Sequence, residues 1–219
     1  MNHLTSKIVF QSRFWILFIC LNFNLSTNAQ TFINFESGAL FTSINDIRIG
    51  NNGTLFSLKN DFSTPVIPFL RLRAGFLLNG KNHFSILYAP LKIKVTGTIE
   101  KNILFDGKYF KANLPTEAVY KFNSYRITYN RRIISKVNFK FGLGLSAKIR
   151  DAGVSLKNRE LLRENFGIGF VPLINILAKW DISQKIGVDF LGEGIIASKG
   201  RAIDLSLSGR YCFTKNLQG

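Results

Sequence analysis

Cysteine is almost missing from the chain. Of the two cysteines, Cys20 lies in an apolar N-terminal stretch and Cys212 near the C-terminus. Once the first is removed with a leader, neither an intramolecular disulfide nor a thiolate metal site can form. Histidine is as scarce, with only His3 and His83, and there are five prolines and one methionine in 219 residues. Acidic residues are few, 13 Asp and Glu against 29 Lys and Arg, giving +16. After residue 29 there is no apolar run of the roughly 18 residues that a membrane helix needs. If the mature chain enters a bilayer, it does so as strands.

Residues 1–29 read as a secretory signal peptide. Lys7 and Arg13 supply the basic region, Phe14 to Leu21 the apolar run, and Thr27-Asn28-Ala29 a cleavage site of small residues before Gln30. Asn22 and Asn24 stop the apolar run short of the ~20 residues a spanning helix requires. The bulky Ile19 before Cys20 does not suit lipoprotein processing. Removal of Lys7 and Arg13 leaves 27 basic and 13 acidic residues, or +14. That excess points to an anionic partner.

What is abundant is strand-like. Phenylalanine occurs 21 times and glycine 18 times. Over Lys136–Leu156, Val137, Phe139, Phe141, Leu143, Leu145, Ala147 and Ile149 alternate with Asn138, Lys140, Gly142, Gly144, Ser146, Lys148 and Arg150. Period two over this length predicts a strand with one apolar and one polar face. Soluble strands are usually about 5–6 residues, whereas a tilted membrane-spanning strand needs about 9–11.

Seven further segments repeat the pattern: Phe32–Thr42, Pro68–Leu78, His83–Val95, Ala118–Arg131, Asn165–Trp180, Ile186–Ile196 and a last strand from Ile203 to Phe213. Polar connections follow the first, third and fifth strands: Asn45–Pro65 with a short strand at Thr54–Leu58, Gly97–Pro115, and the stretch from Asp151 to Glu164. The second, fourth and sixth strands end in short links, clearest at Asn79-Gly80-Lys81-Asn82, a hairpin signal, then near Ser135-Lys136 and at Asp181–Lys185. Ser198-Lys199-Gly200 joins the last two. Pro172 inside the sixth strand predicts a bulge or irregularity. The expected fold is all-β: an antiparallel transmembrane β-barrel of eight strands over residues 30–219, with long outer loops and short periplasmic turns.

Ala118-Val119-Tyr120-Lys121-Phe122-Asn123-Ser124-Tyr125-Arg126 and Ala147-Lys148-Ile149-Arg150-Asp151-Ala152 resemble stretches of small outer-membrane β-barrel proteins of Gram-negative bacteria, of the OmpA/OmpX-like type. The leader ending Asn28-Ala29-Gln30 is similar to those of secreted Bacteroidota proteins. The resemblance covers nearly all the mature chain and carries no assigned activity. It implies residence in the bacterial outer membrane as a monomer. Such barrels usually finish on an aromatic residue, whereas Tyr211-Cys212-Phe213 is followed by Thr214–Gly219. A full-length relative with ten strands is therefore also compatible.

With apolar faces on lipid, the interior holds Glu36, Arg71, Arg73, Arg126, Lys140, Lys148, Arg150, Asp189, Glu193, Asp204 and Arg210. An eight-stranded interior is just wide enough for side chains to fill it, and buried charges persist when paired. A plugged charge network is the expectation, with closure of the first strand on the last setting Glu36 near Asp204 and Arg210. A narrow anion-preferring channel is the first alternative. A lipid-modifying enzyme would want a base beside a nucleophile, and His83 sits at an expected periplasmic turn, so no catalytic residue is assigned. A soluble lipocalin-like barrel, with its apolar faces inward, is the remaining alternative. Gly142-Leu143-Gly144 lacks the third glycine and following helix of a phosphate loop, and no cofactor or metal is expected. Nucleic-acid binding fits a secreted chain with apolar strand faces poorly. Outer-membrane lipid is the expected partner, with lipopolysaccharide phosphates facing Lys92, Lys94, Lys101, Lys108, Lys111 and Lys121.

Overall fold

The structure is a computed structural model in which residues 29–41, 46–50, 52–62, 66–197, 200–214 and 217 are described. The expected signal peptide therefore lies outside the described residues except for Ala29, as do the Ser198-Lys199 link and most of the stretch after Thr214.

The strands, in chain order, are β1 (Ala29–Leu40), β2 (Asp46–Ile47), β3 (Phe56–Ser57), β4 (Ile67–Leu78), β5 (Asn82–Ala89), β6 (Lys92–Thr98), β7 (Ile103–Phe105), β8 (Lys108–Phe110), β9 (Pro115–Ser135), β10 (Phe139–Lys157), β11 (Leu162–Asp181), β12 (Ile186–Ala197) and β13 (Gly200–Tyr211). One antiparallel sheet runs β1-β4-β5-β9-β10-β11-β12-β13, and β6 pairs with β9 beyond the end of β5. Because β5 and β6 are one stave broken at Pro90-Leu91, the sheet has the eight staves expected. The third expected strand is thus two pieces: Pro90 lacks an N–H to give to the ladder.

The sheet is curled, and its two end strands, β1 and β13, each have a single partner among the described residues. The expected closure of the first strand on the last is not present among the described residues. What draws the last strands across the concave face is side-chain bonding from β9, described below.

The alternating pattern sorts the two faces as the period predicts. Ile33, Ile168 and Leu207 are 75–80% exposed on the convex face, while Arg126, Asn175 and Glu193 on the concave face are 1–5% exposed. Asn79 and Gly80 both adopt positive φ (52° and 64°), which makes the expected β4–β5 turn. On β10, a Cβ at Gly144 would lie 1.9 Å from the Tyr129 carbonyl oxygen, and one at Gly142 would lie 2.0 Å from Asn130 Oδ1. These glycines let β9 press close to β10, next to a register shift at Phe141/Gly142.

The expected irregularity at Pro172 takes another form. The β10–β11 register runs unbroken through Ala147↔Pro172, and it is the β11–β12 ladder that stops, at Ile174↔Gly194. The proline falls where no neighbour on that side asks for its N–H. The third long polar connection is also absent: β10 continues to Lys157 and β11 starts at Leu162, leaving residues 158–161 as the link. Asn158 closes it, its Oδ1 accepting from the amides of Glu160 and Leu161 at 2.9 and 2.8 Å.

The three long strands β9, β10 and β11 (21, 19 and 20 residues) overshoot the 12-residue strands β1, β4, β12 and β13. Their projecting ends carry a cap. Two small hairpins, β2–β3 and β7–β8, lie over the concave face there, and Phe56, Leu58, Phe62, Ile99, Ile103, Phe105 and Phe110 pack on Ile93, Val95, Ala118, Val154 and Leu156. Thr54 ties the two loops together, its N–H donating to the Leu104 carbonyl and its hydroxyl accepting from the Leu104 N–H, both at 3.0 Å. Burying phenylalanines here contributes about 1.5–3 kcal/mol each. The connections read as polar outer loops are this molecule's hydrophobic core.

Candidate functional site

Below the cap the concave face is polar and densely bonded. Arg126 projects from the middle of β9, where Tyr125 and Ile127 point outward. Its Nη1 donates to Glu193 of β12, its Nη2 to Asp204 of β13, and its Nε to Ser124 Oγ at 3.2 Å. Glu193 is further satisfied by the Ser146 hydroxyl and by Asn175 Nδ2 at 3.2 Å. Thr128 and Ser146 share a hydrogen bond of 2.8 Å, and Asn130 Nδ2 donates to Asn175 Oδ1 at 2.7 Å. One network therefore connects β9, β10, β11, β12 and β13 through the interior. A carboxylate as buried as Glu193 stays charged only with donors of this number and charge.

Of the eleven expected interior residues, Arg126, Glu193 and Asp204 form this hub. Glu36 does not join Asp204 or Arg210, as closure would have required; it pairs with Arg71 across the β1–β4 ladder at 3.3 Å. Lys140, Asp189 and Arg210 form a second cluster at the end of the sheet bearing the short turns. There Arg210 bonds Asp181 at 2.5 Å and Asp189 at 3.1 Å, Lys140 bonds Asp181 at 2.8 Å, and Lys179 reaches Asp189 at 3.2 Å. Lys140 thus finds its carboxylate at the end of β11. Arg73 and Lys148 are buried with no carboxylate within 4 Å among the described residues, and Arg150 is exposed. Lys148 Nζ sits 5.3 Å from the Phe122 ring centre, a cation–π contact.

The sequence reading missed Asp181, which falls where strand six was expected to end and was assigned to a turn. It also missed Ser146, Asn175, Asn130 and Thr128 as members of the network. Their polar positions in alternating strands were the signal.

Of the six lysines expected at the outer end, four are held by carboxylates: Lys94 by Glu117 (2.8 Å), Lys101 by Asp61 (4.0 Å), Lys111 by Glu160 (3.1 Å) and Lys121 by Asp151 (2.7 Å). Lys92 and Lys108 have no such partner among the described residues. Lys92 stands directly opposite Lys121 in the β6–β9 register, an arrangement that repels unless an anion lies nearby. Both border a cavity of about 520 Å³ on the outer side of the sheet, lined also by Lys157, Leu162, Glu164 and Phe166. Lys157 is a further cation there that the sequence did not single out.

Asp151, beyond the last apolar outward residue of β10, bonds two residues of this lining, Lys121 and Asn123. The hydrogen bond from Lys121 Nζ (2.9 Å), with a second from Asn123 Nδ2 (3.3 Å), holds its carboxyl below the usual aspartate range. The stabilisation is present above the unfolded-state pKa and is lost as pH falls through the depressed folded value. Lys121→Met is expected to raise the titration midpoint of the Asp151 carboxyl, read by carbon NMR. An unchanged midpoint would break the pairing.

His83, the second residue of β5, stacks on Phe32 with ring centres 5.0 Å apart, and its Nδ1 is buried without a hydrogen-bond partner. Its immediate contact is thus an aromatic ring. Neither a scan against protein-family models nor a search of the curated proteins finds a match to this chain.

Proposed function

We propose that this chain is a transmembrane β-barrel protein of the bacterial outer membrane, delivered by a cleaved signal peptide, with a structural or surface-interaction role and an interior plugged by its charge network. The observation that carries the reading is the inverted distribution of side chains: apolar residues cover the outside of the curled sheet while paired charges fill the inside. A soluble lipocalin-like barrel needs the opposite arrangement.

The dimensions agree. On β10 the outward apolar band runs from Phe139 to Ile149, eleven residues, and ends at the polar group of Asp151, Lys121 and Asn123. At ~3.4 Å per residue and a tilt of ~40°, this spans roughly 26–29 Å, against ~25 Å for an outer-membrane apolar band. Aromatic residues gather at both borders. Tyr88 stacks on Tyr125 (5.4 Å) near the Asp151 side. At the turn side Trp180 and Tyr211 are 56% and 42% exposed. Such rings suit the headgroup level.

In hydrocarbon an unsatisfied peptide group costs several kcal/mol, so this reading requires β1 and β13 to be joined or covered inside the bilayer. The lysine-lined cavity outside the band is then level with lipid phosphates, and Lys92, Lys121 and Lys157 are the cations that would meet them.

Fractionation of the producing cell tests the reading, with amide exchange in lipid nanodiscs as a second arm. The protein is expected in the outer membrane, with the outward-edge amides of β1 and β13 protected from exchange. Recovery in the soluble periplasmic fraction overturns the membrane assignment. Steady ion current through the wild-type protein in planar bilayers would replace the plugged barrel by the narrow anion-preferring channel.

A further inference from the structure

The charge network leaves one part of the concave face unbalanced. In the middle of the sheet the interior cations are Arg71, Arg73, Arg126 and Lys148, and the carboxylates are Glu36, Glu193 and Asp204. Arg71 pairs with Glu36, and Arg126 takes both Glu193 and Asp204. Arg73, like Lys148, is therefore left without a carboxylate within 4 Å among the described residues, although it is only 8% exposed. Its Nη2 is buried and makes no hydrogen bond. A buried guanidinium in this state is costly, because charges leave water only when paired and hydrogen-bonded.

A second unpartnered donor lies beside it. Ser85 is 4% exposed, and its Oγ is also buried without a partner. The β4–β5 register sets Arg73 opposite Leu87 and Gly75 opposite Ser85, so Ser85 is the diagonal neighbour of Arg73 on the same concave face. Diagonal neighbours are within reach of a long side chain. Next along the two strands, Leu77 faces His83, whose Nδ1 is the third buried and unpartnered atom. The Phe32 ring folds over Gly75, where a Cβ would sit 2.8 Å from it, and stacks on His83. This aromatic pair walls the place on the turn side. Thr128, opposite Ser85 on β9, is already engaged with Ser146.

From these features we propose that Arg73 Nη2 and Ser85 Oγ bind one small monovalent anion of the halide class inside the curled sheet. The single surplus charge of the middle tier sets the valence: one chloride balances it, while a phosphate dianion would overshoot. The available donors are the two N–H groups of Arg73 Nη2 and one O–H of Ser85, with the Nδ1–H tautomer of His83 as a further one. A halide accepts several such donors without needing any in return, which suits a place offering N–H and O–H groups beside an aromatic wall. The bound ion completes the plug as its missing counter-charge. The proposal rests on the plugged interior and not on the location of the protein, so its failure would leave the fractionation result unchanged.

The test uses the wild-type protein folded in detergent micelles. Crystals grown with bromide in place of chloride are expected to give one interior anomalous peak within hydrogen-bond distance of Arg73 Nη2 and Ser85 Oγ. Bromide NMR line broadening is expected to saturate in the millimolar range. Arg73→Gln should abolish the saturable broadening, and Ser85→Ala should weaken it at least about fivefold while retaining the strand signature in circular dichroism. If Arg73→Gln does not fold, the serine variant and the wild-type peak still decide. Density without anomalous signal at this place, meaning water, overturns the proposal. So does bromide that binds only at molar concentration, or that binds Ser85→Ala as tightly as wild type.

Discussion

Glu193→Leu is expected to destabilise the folded protein by about 3–5 kcal/mol, read as a lowered urea midpoint in micelles. The carboxylate is 2% exposed and receives Arg126, Ser146 and Asn175 together. Removing it leaves a 5%-exposed guanidinium with Asp204 as its sole carboxylate, and Asn175 with one hydrogen bond fewer. The loss is therefore dominated by groups left unpaired and not by the attraction that disappears. Two controls separate these effects. Glu193→Gln keeps a carbonyl oxygen for Ser146 and Asn175 and should cost less than the leucine variant. The triple change Arg126→Met, Glu193→Leu and Asp204→Asn removes the charges together and should cost less than the sum of its parts, because residues of one network do not add. If the three single effects simply add, Arg126, Glu193 and Asp204 act independently and the hub is not a unit.

How far the sequence discloses this arrangement depends on which physical signal each part emits. The two faces of the sheet are legible because alternation is local: Leu143, Leu145 and Ile149 point out and Ser146 and Lys148 point in for the same geometric reason. The membership of the charged interior follows from that, including Arg126, Glu193 and Asp204. Who pairs with whom does not follow, because pairing across a curled sheet is set by register and curvature summed over several strands. Hence Glu36 was expected beside Asp204 and instead bonds Arg71. Asp181 was hidden by its position at a strand end, where an aspartate reads as a turn former.

The cap was hidden by composition. Asn45–Pro65 and Gly97–Pro115 are rich in turn residues, and their polar average masks buried phenylalanines. One local signal was present: Ile103-Leu104-Phe105 and Lys108-Tyr109-Phe110 flank Asp106-Gly107, and both turn residues adopt positive φ (47° and 73°). An Asp-Gly pair between apolar runs is a strong hairpin signature. Within a long polar connection the same residues also suit an outer loop, so the pair alone does not reveal a buried hairpin.

The cap also supplies the other large expected effect. Phe105 is fully buried and touches Phe56 and Phe110 edge-on, with ring centres 6.2 and 6.3 Å apart. Truncating a buried phenylalanine to alanine costs about 3–5 kcal/mol. Here the loss is borne locally, because among the described residues the β2–β3 and β7–β8 hairpins form no ladder with the main sheet. Phe105→Ala is expected to melt the cap while the sheet stays folded, so residues 99–114 become open to protease and fast amide exchange and the amides of β10 remain protected. If β10 loses protection at the same time, the cap and sheet are one cooperative unit. The two layers also obstruct the interior in series. Phe105→Ala alone should carry no steady current in planar bilayers, because the Arg126 hub still fills the middle. Breaking the hub alone should likewise carry none, because the cap still covers one end. Only the combined variant is expected to conduct, and conductance from either single change would mean that a single layer closes the barrel.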